Sequence, residues 1–354
     1  MSIAYHDGQI ILDDMKWIQD NFDKAPFEGT QVLVTGGAGF LGSWCSEALL
    51  GLGAHVTCLD NLSTGLPENI EHLVLAPAFR FEQKDVCNFK TTKRFDMILH
   101  MASHASPEHY QHNPISTLEA NSTGSQNILE VARRCDATVM FASTSEVYGD
   151  ALIIPTPEDY WGNVNPVGPR SCYDEGKRFG EALFTAYNRE YGLNVKIARI
   201  FNSYGPRIRA DGLYGRAVPR FILQALNNQP ITVYGDGQQT RSFCYVSDTI
   251  LGLLRLTTSK KASGEPVNIG NPNEITILTL AKTVKAIAKS TSPIVFRSLP
   301  EDDPKRRCPE MSKAKKFLEW HPKMNLKKGL QRTINWFRSR RSPLQQVQQL
   351  PNYA

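Results

Sequence analysis

A glycine-rich segment directly after a β-branched apolar run constrains the fold of this chain more than any other feature. The run QVLVTG begins at Gln31 and predicts a buried strand, and the segment TGGAGFLG places Gly36, Gly39 and Gly42 at the start of a helix. Glycines at this spacing permit a tight turn and let backbone N–H groups approach a pyrophosphate. The segment therefore predicts a dinucleotide site in a strand–turn–helix unit.

Strand and helix patterns alternate after this unit. Apolar runs predict further strands in AHVTCLD, FRFEQKDV, FDMILHMA and ATVMFASTS, and the spacing of Ile128, Leu129 and Val131 predicts a helix before the last of them. Such alternation predicts an α/β fold with a Rossmann-type, doubly wound parallel sheet. After about residue 200, Gly, Pro and Arg become frequent, which predicts a smaller C-terminal α/β substrate subdomain.

These patterns divide the 354 residues into four predicted parts. Residues 1–29 form an N-terminal extension, in which Asp13 to Phe22 are expected to make a short helix. Residues 30–200 form the dinucleotide-binding Rossmann domain, and residues 201–342 form most of the substrate subdomain. Residues 343–354 are expected to be a loose tail.

The composition excludes several functional classes. The 40 Lys and Arg residues nearly balance the 35 Asp and Glu residues, and a net charge of +5 gives no reason to expect a nucleic-acid partner. No run of about 18 apolar residues occurs, and the first residues lack a basic segment, so neither a membrane span nor a signal peptide is expected. The protein is therefore expected to be cytoplasmic.

The cysteines and histidines do not indicate a metal site. The seven cysteines are scattered without a close pair, and their irregular spacing favours buried, reduced thiols over disulfides or zinc ligands. Four histidines, His100, His104, His109 and His112, cluster in sequence, but their spacing does not recur elsewhere. No bound metal is therefore expected.

A carboxylate follows the glycine segment at the distance that a dinucleotide site requires. Asp60 stands at the end of the second predicted strand. A carboxylate there can accept hydrogen bonds from both ribose hydroxyls and repels a 2′-phosphate, so NAD is favoured over NADP. Asp85 and Val86 are expected to end the third strand beside the adenine. The alternative is a glycine turn with a capping aspartate.

A tyrosine and a lysine four residues apart form a candidate catalytic pair. Tyr173 and Lys177 lie in SCYDEGKRFGEALFTAYNREYG, whose periodicity predicts a helix, and this spacing places both side chains on one helix face. The lysine ammonium and the positive ring of NAD⁺ are expected to lower the pKa of the phenol, normally ~10. The phenolate can then accept the proton of a substrate hydroxyl while hydride leaves the same carbon.

Hydroxyl and carboxylate side chains end the fifth predicted strand. Thr144, Ser145 and Glu146 stand at its carboxyl end, where open α/β sheets bind ligands. Thr144 is a candidate to hold the reacting oxygen, and Glu146 is a candidate general acid or base. Helix capping or turn formation is the alternative interpretation of such a cluster.

Together these segments resemble the extended short-chain dehydrogenase/reductase family, which contains nucleotide-sugar epimerases, dehydratases and decarboxylases. The resemblance covers about residues 31–340 and rests on VTGGAGFLG, STSEVYG, YDEGK, RIFNSYGPR and GDGQQTRSFCYVSD. It implies a two-part architecture, tightly held NAD, a UDP-sugar substrate and a homodimer formed through helices. Two features depart from the family, namely the N-terminal extension and Glu119, where a basic or neutral residue is expected.

The resemblance also assigns residues to the two ligands, position by position. On the cofactor side it adds Phe40, Leu41, Asn61, Ala102 and Asn121. On the substrate side it adds Ser106, Tyr110, Asn202, Arg220 and Tyr234. It further implies Arg241 as a diphosphate contact and Arg307 as a guanidinium fork for a carboxylate or phosphate.

Three segments resemble most the family members that decarboxylate UDP-glucuronate: ASPEHYQHNPI, EDYWGNVNPVGPRSCYDEGKR and Thr144-Ser145-Glu146. This implies oxidation at C4, loss of CO₂ and reduction to UDP-xylose. A UDP-glucuronate 4-epimerase is the nearest alternative. A 4,6-dehydratase is disfavoured because such enzymes carry Asp in place of Ser145. A non-catalytic NAD-binding scaffold would have no need of the intact Thr144, Tyr173 and Lys177 set.

Overall fold

A computed structural model of the chain describes residues 4–210 and 216–340, with side chains from residue 8 onward. The predicted tail, residues 343–354, lies outside the described residues. The strands in chain order are β1 (Gln31–Thr35), β2 (His55–Asp60), β3 (Phe79–Gln83), β4 (Met97–His100), β5 (Thr138–Thr144), β6 (Val195–Ile200), β7 (Ser203–Tyr204), β8 (Ile231–Tyr234), β9 (Thr240–Ser242), β10 (Cys244–Tyr245), β11 (Pro266–Ile269), β12 (Glu274–Thr276), β13 (Ile294–Arg297) and β14 (Arg306–Arg307).

The α-helices surround these strands, and none within the described ranges has the length and apolar character needed to cross a membrane. In chain order they are α1 (Ala4–Asp20), α2 (Phe40–Gly51), α3 (Pro107–His112), α4 (Pro114–Glu119), α5 (Ser125–Cys135), α6 (Ser171–Tyr191), α7 (Ala217–Leu226), α8 (Val246–Thr258), α9 (Ile277–Ala288), α10 (Ser312–Leu318) and α11 (Leu326–Ser339).

Seven strands form one sheet in the order β11-β6-β5-β4-β1-β2-β3. Every neighbouring pair is parallel, which confirms the predicted Rossmann-type sheet. Val32, Leu33 and Val34 of β1 are fully buried, as expected for a strand covered by helices on both faces. Successive connections run outward in opposite directions from β1 and β4. The carboxyl ends of these strands are therefore where such a sheet binds its ligand.

The later part of the chain builds smaller sheets beside the main one. β13 pairs with β8, and β9 lies between β12 and β14. Helices α7 and α9 pack against each other and against β8. One strand from this part, β11, instead joins the main sheet next to β6.

The N-terminal extension packs onto the fold. Its helix α1 begins earlier than the predicted Asp13 to Phe22, because Ile10 and Ile11 extend the apolar stripe against the core. The helix contacts α2, α8 and α11. Buried Asp14 accepts a hydrogen bond from the Tyr245 hydroxyl (2.7 Å) and pairs with Arg332 (2.9 Å). The helix therefore links the first Rossmann helix to the C-terminal helix.

Candidate active site

The predicted glycine turn is closed by backbone contacts that leave no room for a side chain. Gly36 leaves β1 with a φ of 65°, in the left-handed region that favours glycine. A Cβ added at Gly42 would lie 2.1 Å from the carbonyl oxygen of Gly36. Helix α2 begins at Phe40, so its first unpaired N–H groups stand at this turn. The turn and helix together form a cradle that fits a pyrophosphate.

Asp60 stands beside this cradle at the end of β2. Its carboxylate accepts hydrogen bonds from the backbone N–H groups of Ala38 (2.9 Å) and Leu62 (2.8 Å). Burial raises the pKa of this carboxyl, and the two N–H groups oppose that shift. The carboxylate is therefore held firmly at the strand end where the prediction places the ribose.

Asp85 lies just beyond β3 rather than at its last residue. The strand ends at Gln83, and Asp85 caps the following turn by accepting a hydrogen bond from the Cys87 N–H (2.8 Å). Its other oxygen accepts a hydrogen bond from the Asn61 side chain (2.6 Å). These two polar groups, together with Val86, line the part of the cleft next to Asp60.

Tyr173 and Lys177 lie on α6, where the four-residue spacing brings them onto the face that meets β5. The Tyr173 hydroxyl hydrogen-bonds with the side chain of Thr144. The Lys177 ammonium donates to the Ala142 carbonyl oxygen at 2.8 Å and lies 5.9 Å from the centre of the Tyr173 ring. A phenol, a hydroxyl and an ammonium therefore converge at the carboxyl end of β5.

The protein groups alone raise the pKa of Tyr173, whereas the sequence analysis expected it to be lowered. Burial raises the pKa of Tyr173, and the hydrogen bond with Thr144 only partly opposes that shift. Burial also lowers the pKa of Lys177 to about 7. Each group is nearly inaccessible to water, so desolvation of the charged form is the largest influence on each pKa. The sequence interpretation included the effect of the Lys177 charge on the Tyr173 pKa but not the effect of burial on either group.

Tyr110 stacks on Tyr173, the candidate proton acceptor. The two rings are nearly parallel, with an interplanar angle of 3° and centroids 5.0 Å apart. Tyr110 is supplied by α3, whose first turn follows Ser106. This stacking restricts the orientation of the Tyr173 ring and makes Tyr110 a wall of the reaction site.

Glu146 is held between two arginines. Both Arg170 and Arg307 donate to its carboxylate, Arg170 from the start of α6 and Arg307 from β14. All three side chains are largely shielded from water, with exposed fractions of 13% for Glu146, 7% for Arg170 and 6% for Arg307. Two guanidinium groups beside one carboxylate leave an excess positive charge next to Tyr173 and Thr144, which Asp174, 3.9 Å from Arg170, opposes to the extent that it is ionised.

A second group of predicted substrate residues lies further along the same cleft. Arg241 pairs with Asp303 at 3.0 Å. The Arg220 guanidinium lies over the Tyr234 ring, 4.7 Å from its centre. The Asn202 side chain is near the Ser242 carbonyl oxygen, at 3.4 Å. Cations and an aromatic ring in this arrangement fit a nucleoside diphosphate.

A single cleft of about 410 Å³ gathers the predicted site. Asn121 is the exception. It is buried behind the cleft wall, in a π-helical turn before α5, where its side chain donates to the Ser103 hydroxyl at 3.0 Å. The predicted residues that line the cleft are Gly36, Gly39, Phe40, Leu41, Gly42, Asp60, Asn61, Asp85, Val86, Ala102, Ser106, Tyr110, Thr144, Ser145, Glu146, Tyr173, Lys177, Asn202, Arg220, Tyr234, Arg241 and Arg307.

The sequence interpretation missed Arg170. This residue precedes Tyr173 by three positions, a spacing that places neighbours on one helix face, so a signal was present. Its partner Glu146 is 24 residues earlier, and that pairing has no sequence signature. Arg216 was also missed. It lines the cleft, and its positive charge acts to lower the pKa of Tyr173.

The clustered histidines serve different local roles. His100 is buried between Thr35 (2.8 Å) and Ser125 (3.1 Å), and burial lowers its pKa to about 3. It is therefore neutral and connects the ends of β1 and β4 to α5. His104 lines the cleft, near Ser116. Within the two described ranges, no three His, Cys, Asp or Glu side chains are grouped so as to hold a metal ion.

Comparisons with known proteins agree with this geometry. The model of the NAD dependent epimerase/dehydratase family matches residues 32–270. A protein from Arabidopsis thaliana named UDP-glucuronic acid decarboxylase 1 is 47% identical over 310 residues, which cover 88% of this chain and 70% of that protein. A protein of the same name from Xenopus tropicalis is 47% identical and covers 87% of this chain and 72% of its own length.

Two solved structures with a similar fold are epimerases by name. An epimerase from Methanothermobacter thermautotrophicus superposes with a TM-score of 0.82 at 29% identity, covering 93% of this chain and 95% of that one. A UDP-glucuronic acid 4-epimerase from Bacillus cereus, solved with UDP-glucuronic acid and NAD, gives a TM-score of 0.79 at 29% identity. That match covers 87% of this chain and 99% of the epimerase.

We expect Gly42→Ala to weaken NAD binding by about tenfold or more, equivalent to about 1.4 kcal/mol, because its Cβ would collide with the Gly36 carbonyl. Titration calorimetry of the purified protein measures this. Gly8→Ala is the control, since a Cβ at Gly8 meets no atom within 4 Å. Unchanged NAD affinity in a folded Gly42→Ala variant would contradict the assignment of the cradle.

Proposed function

The chain belongs to the NAD-dependent epimerase/dehydratase family, and on that premise we propose that it converts UDP-glucuronate to UDP-xylose and CO₂ with NAD as cofactor. Relatives at 46% and 47% identity are named for the decarboxylation of this sugar acid. The observation that carries the proposal is the pair Arg170 and Arg307, which converge beside Tyr173 and Thr144. This provides a carboxylate site next to a site for oxidising a hydroxyl.

Oxidation at C4 uses the groups at the end of β5. Tyr173 accepts the proton of the C4 hydroxyl, and Thr144 holds the same oxygen. Because burial raises the pKa of Tyr173, this transfer needs a nearby positive charge, which the ammonium of Lys177 supplies. NAD would be held by the cradle of Gly36, Gly39 and Gly42, and when bound it would supply a reversible acceptor for the hydride of C4.

Decarboxylation follows from the ketone at C4. The product of oxidation is a β-keto acid, so the C5–C6 bond can break and release CO₂. The electron pair of that bond moves to the C4 oxygen as an enolate, which Thr144 and Tyr173 stabilise by hydrogen bonds. A proton then reaches C5 through water held by Glu146 or Ser145. Return of hydride to C4 and of a proton from Tyr173 gives the pentose.

The rest of the cleft is assigned to the UDP moiety. Arg241 is proposed for the diphosphate because it is buried and is held in place by Asp303. Arg220 and Tyr234 are proposed for the uridine side, where the guanidinium lies over the ring. Asn202 and Ser106 are proposed as hydrogen-bonding groups along the same wall.

We propose that the active form is a homodimer joined through α4 and α6. Three large apolar side chains are exposed on and just beside these helices: Ile115 (71%), Leu118 (42%) and Phe179 (51%). Leu118 and Phe179 border the same shallow groove. Exposed apolar residues on two adjacent helices are what a helical interface requires.

The cytoplasm is the proposed compartment. The cysteines at 45, 58, 87, 135, 172, 244 and 308 are free thiols, and most of them are buried. Burial raises the pKa of the Cys45 thiol to about 12. Unreactive, unpaired thiols are compatible with a reducing environment.

Incubation of the purified protein with UDP-glucuronate and NAD⁺ is expected to yield a UDP-pentose, detected by mass spectrometry as the loss of CO₂. Tyr173→Phe removes the proton acceptor and is expected to lower the rate by about 10²-fold or more. An unchanged mass with a new retention time would identify a 4-epimerase instead. No turnover with several UDP-sugars, while NAD still binds, would support a non-catalytic scaffold.

Arg170→Lys is expected to raise the KM for UDP-glucuronate by about tenfold or more, because a single ammonium replaces a planar fork beside the carboxylate. Inhibition by UDP-glucose, which lacks the carboxylate, is expected to change little. Arg189→Lys, on the exposed part of α6, is the control. Equal weakening of both ligands would place Arg170 outside the carboxylate site.

Phe179→Asp is expected to convert the dimer to a monomer, because it places a charge in the proposed apolar interface. Light scattering coupled to size-exclusion chromatography measures the mass. Leu75→Asp is the matched control, since Leu75 is 93% exposed and lies outside α4 and α6. A dimer that persists in Phe179→Asp would mean that another surface joins the subunits.

A further inference from the structure

A carboxylate one helical turn beyond Lys177 lies behind the candidate active site. Glu181 of α6 is largely shielded from solvent, with 13% of its side chain exposed. It accepts hydrogen bonds from the Ser143 hydroxyl (2.5 Å) and from two nitrogens of Arg199, Nε (2.9 Å) and Nη2 (2.7 Å). A bidentate, shielded pair of this kind has a well-defined geometry.

The partners of Glu181 belong to the elements that carry the reacting groups. Ser143 directly precedes Thr144 in β5, and Arg199 lies in β6. Arg199 also donates to the Tyr148 hydroxyl at 3.0 Å. Tyr148 ends the short turn that contains Glu146. One carboxylate therefore connects the helix of Tyr173 and Lys177, the strand of Thr144 and the turn of Glu146.

The backbone of α6 lies very close to β5 at this level. A Cβ added at Gly180 would lie 2.4 Å from the Phe141 ring. The same ring lies under the Lys177 ammonium, 4.7 Å from its centre. The glycine permits close approach, whereas the Glu181 bonds fix the position of the helix along the strand.

We propose that Glu181 is a positioning residue, which acts through Ser143 and Arg199 to hold α6 in register with β5. The same bonds hold the carboxylate charge of Glu181 next to Lys177. This positioning role rests on the proposed function, because the register of α6 on β5 affects the reaction rate only if Tyr173 and Thr144 contact the same substrate oxygen. Displacement of a reacting group by about 1 Å can cost about 10²-fold in rate. Glu181 touches neither the proposed substrate nor the cofactor site.

The charge of Glu181 has a separate effect on the lysine. Groups that contact Lys177 or act on its charge include Tyr173 and Glu181 on its own helix and His100 on β4. The Glu181 carboxylate is itself paired with Arg199 of β6. His100 is neutral, and the Tyr173 phenol is neutral until it reacts. Burial lowers the pKa of Lys177, and Glu181 opposes this shift. Loss of the Glu181 charge therefore lowers the pKa of Lys177 further below about 7.

Glu181→Gln tests both consequences. We expect kcat to fall about tenfold while the KM for UDP-glucuronate changes less than twofold, because no substrate contact is removed. We also expect the alkaline limb of the kcat profile to move to lower pH, since the ammonium of Lys177 is lost sooner. Glu181→Asp keeps the charge, so its alkaline limb in the kcat profile is expected to lie near the wild-type pH. Glu190→Gln, which removes an exposed charge from the same helix, is the control.

A measurement without substrate separates this proposal from the proposed function. Lysine labelled with ¹³C at Cε reports the titration of Lys177, whose resonance is identified by its loss in Lys177→Arg. We expect its midpoint to move to lower pH in Glu181→Gln and to stay near the wild-type value in Glu181→Asp and Glu190→Gln. A wild-type protein that releases no CO₂ would overturn the proposed function while this titration still tests Glu181.

Two results would overturn the positioning role. One is a Glu181→Gln variant with wild-type kcat, pH profile and Lys177 titration, even if it melts at a lower temperature. The other is equal loss of activity in Glu181→Gln and Glu181→Asp with an unmoved Lys177 titration, which would indicate a packing role alone. If Glu181→Gln does not fold, Ser143→Ala, which removes only one bond to the carboxylate, is expected to lower kcat without changing KM.

Discussion

The burial of a lysine ammonium between helix α6 and strand β5 is the interaction on which the rest of the site depends. Lys177 is almost completely shielded from water and donates a hydrogen bond to the carbonyl oxygen of Ala142. Removing an ammonium from water is costly and pushes its pKa down toward neutrality. The ionised form needs a negative partner, and Glu181 lies one turn away. The same burial places the Lys177 ammonium beside the Tyr173 phenol, to which we assign the proton transfer. The burial that destabilises the fold is therefore the burial that serves the proposed chemistry.

Local features of the sequence were enough to predict the fold, the glycine turn of the cofactor site and the positions of Tyr173 and Lys177 on one helix face. The glycine turn requires close approach between Gly36 and Gly42, and only six positions separate them, so the requirement is visible in the sequence. Tyr173 and Lys177 were likewise predictable, because helical periodicity alone places them on one face. The parallel sheet followed from the alternation of apolar runs with helical patterns. Each of these inferences depends on neighbours along the chain.

The features that sequence reasoning missed depend on contacts between distant segments. Glu146 and Arg307 are 161 positions apart, and nothing local indicates that β14 returns to the end of β5. The effect of burial on the Tyr173 pKa was also missed, because it depends on how completely the ring is buried rather than on the spacing of charged residues. Helix α1 was underestimated in length because the tertiary contacts of Ile10 and Ile11, not intrinsic propensity, favour its first turns.

Arg170 and Arg307 form a charged cluster with Glu146 and Asp174, and the balance of charge in this cluster decides whether it favours binding of an anion. Arg170 and Arg307 carry two positive charges, and Glu146 carries one negative charge. Asp174, 3.9 Å from Arg170, would cancel the remainder if it were fully ionised. Burial raises the pKa of Asp174 to about 7, which disfavours its ionised form. The cluster then keeps a net positive charge that a substrate carboxylate can neutralise. Desolvation of Asp174, rather than an additional cation, is therefore what favours the proposed use of this cluster for a sugar carboxylate.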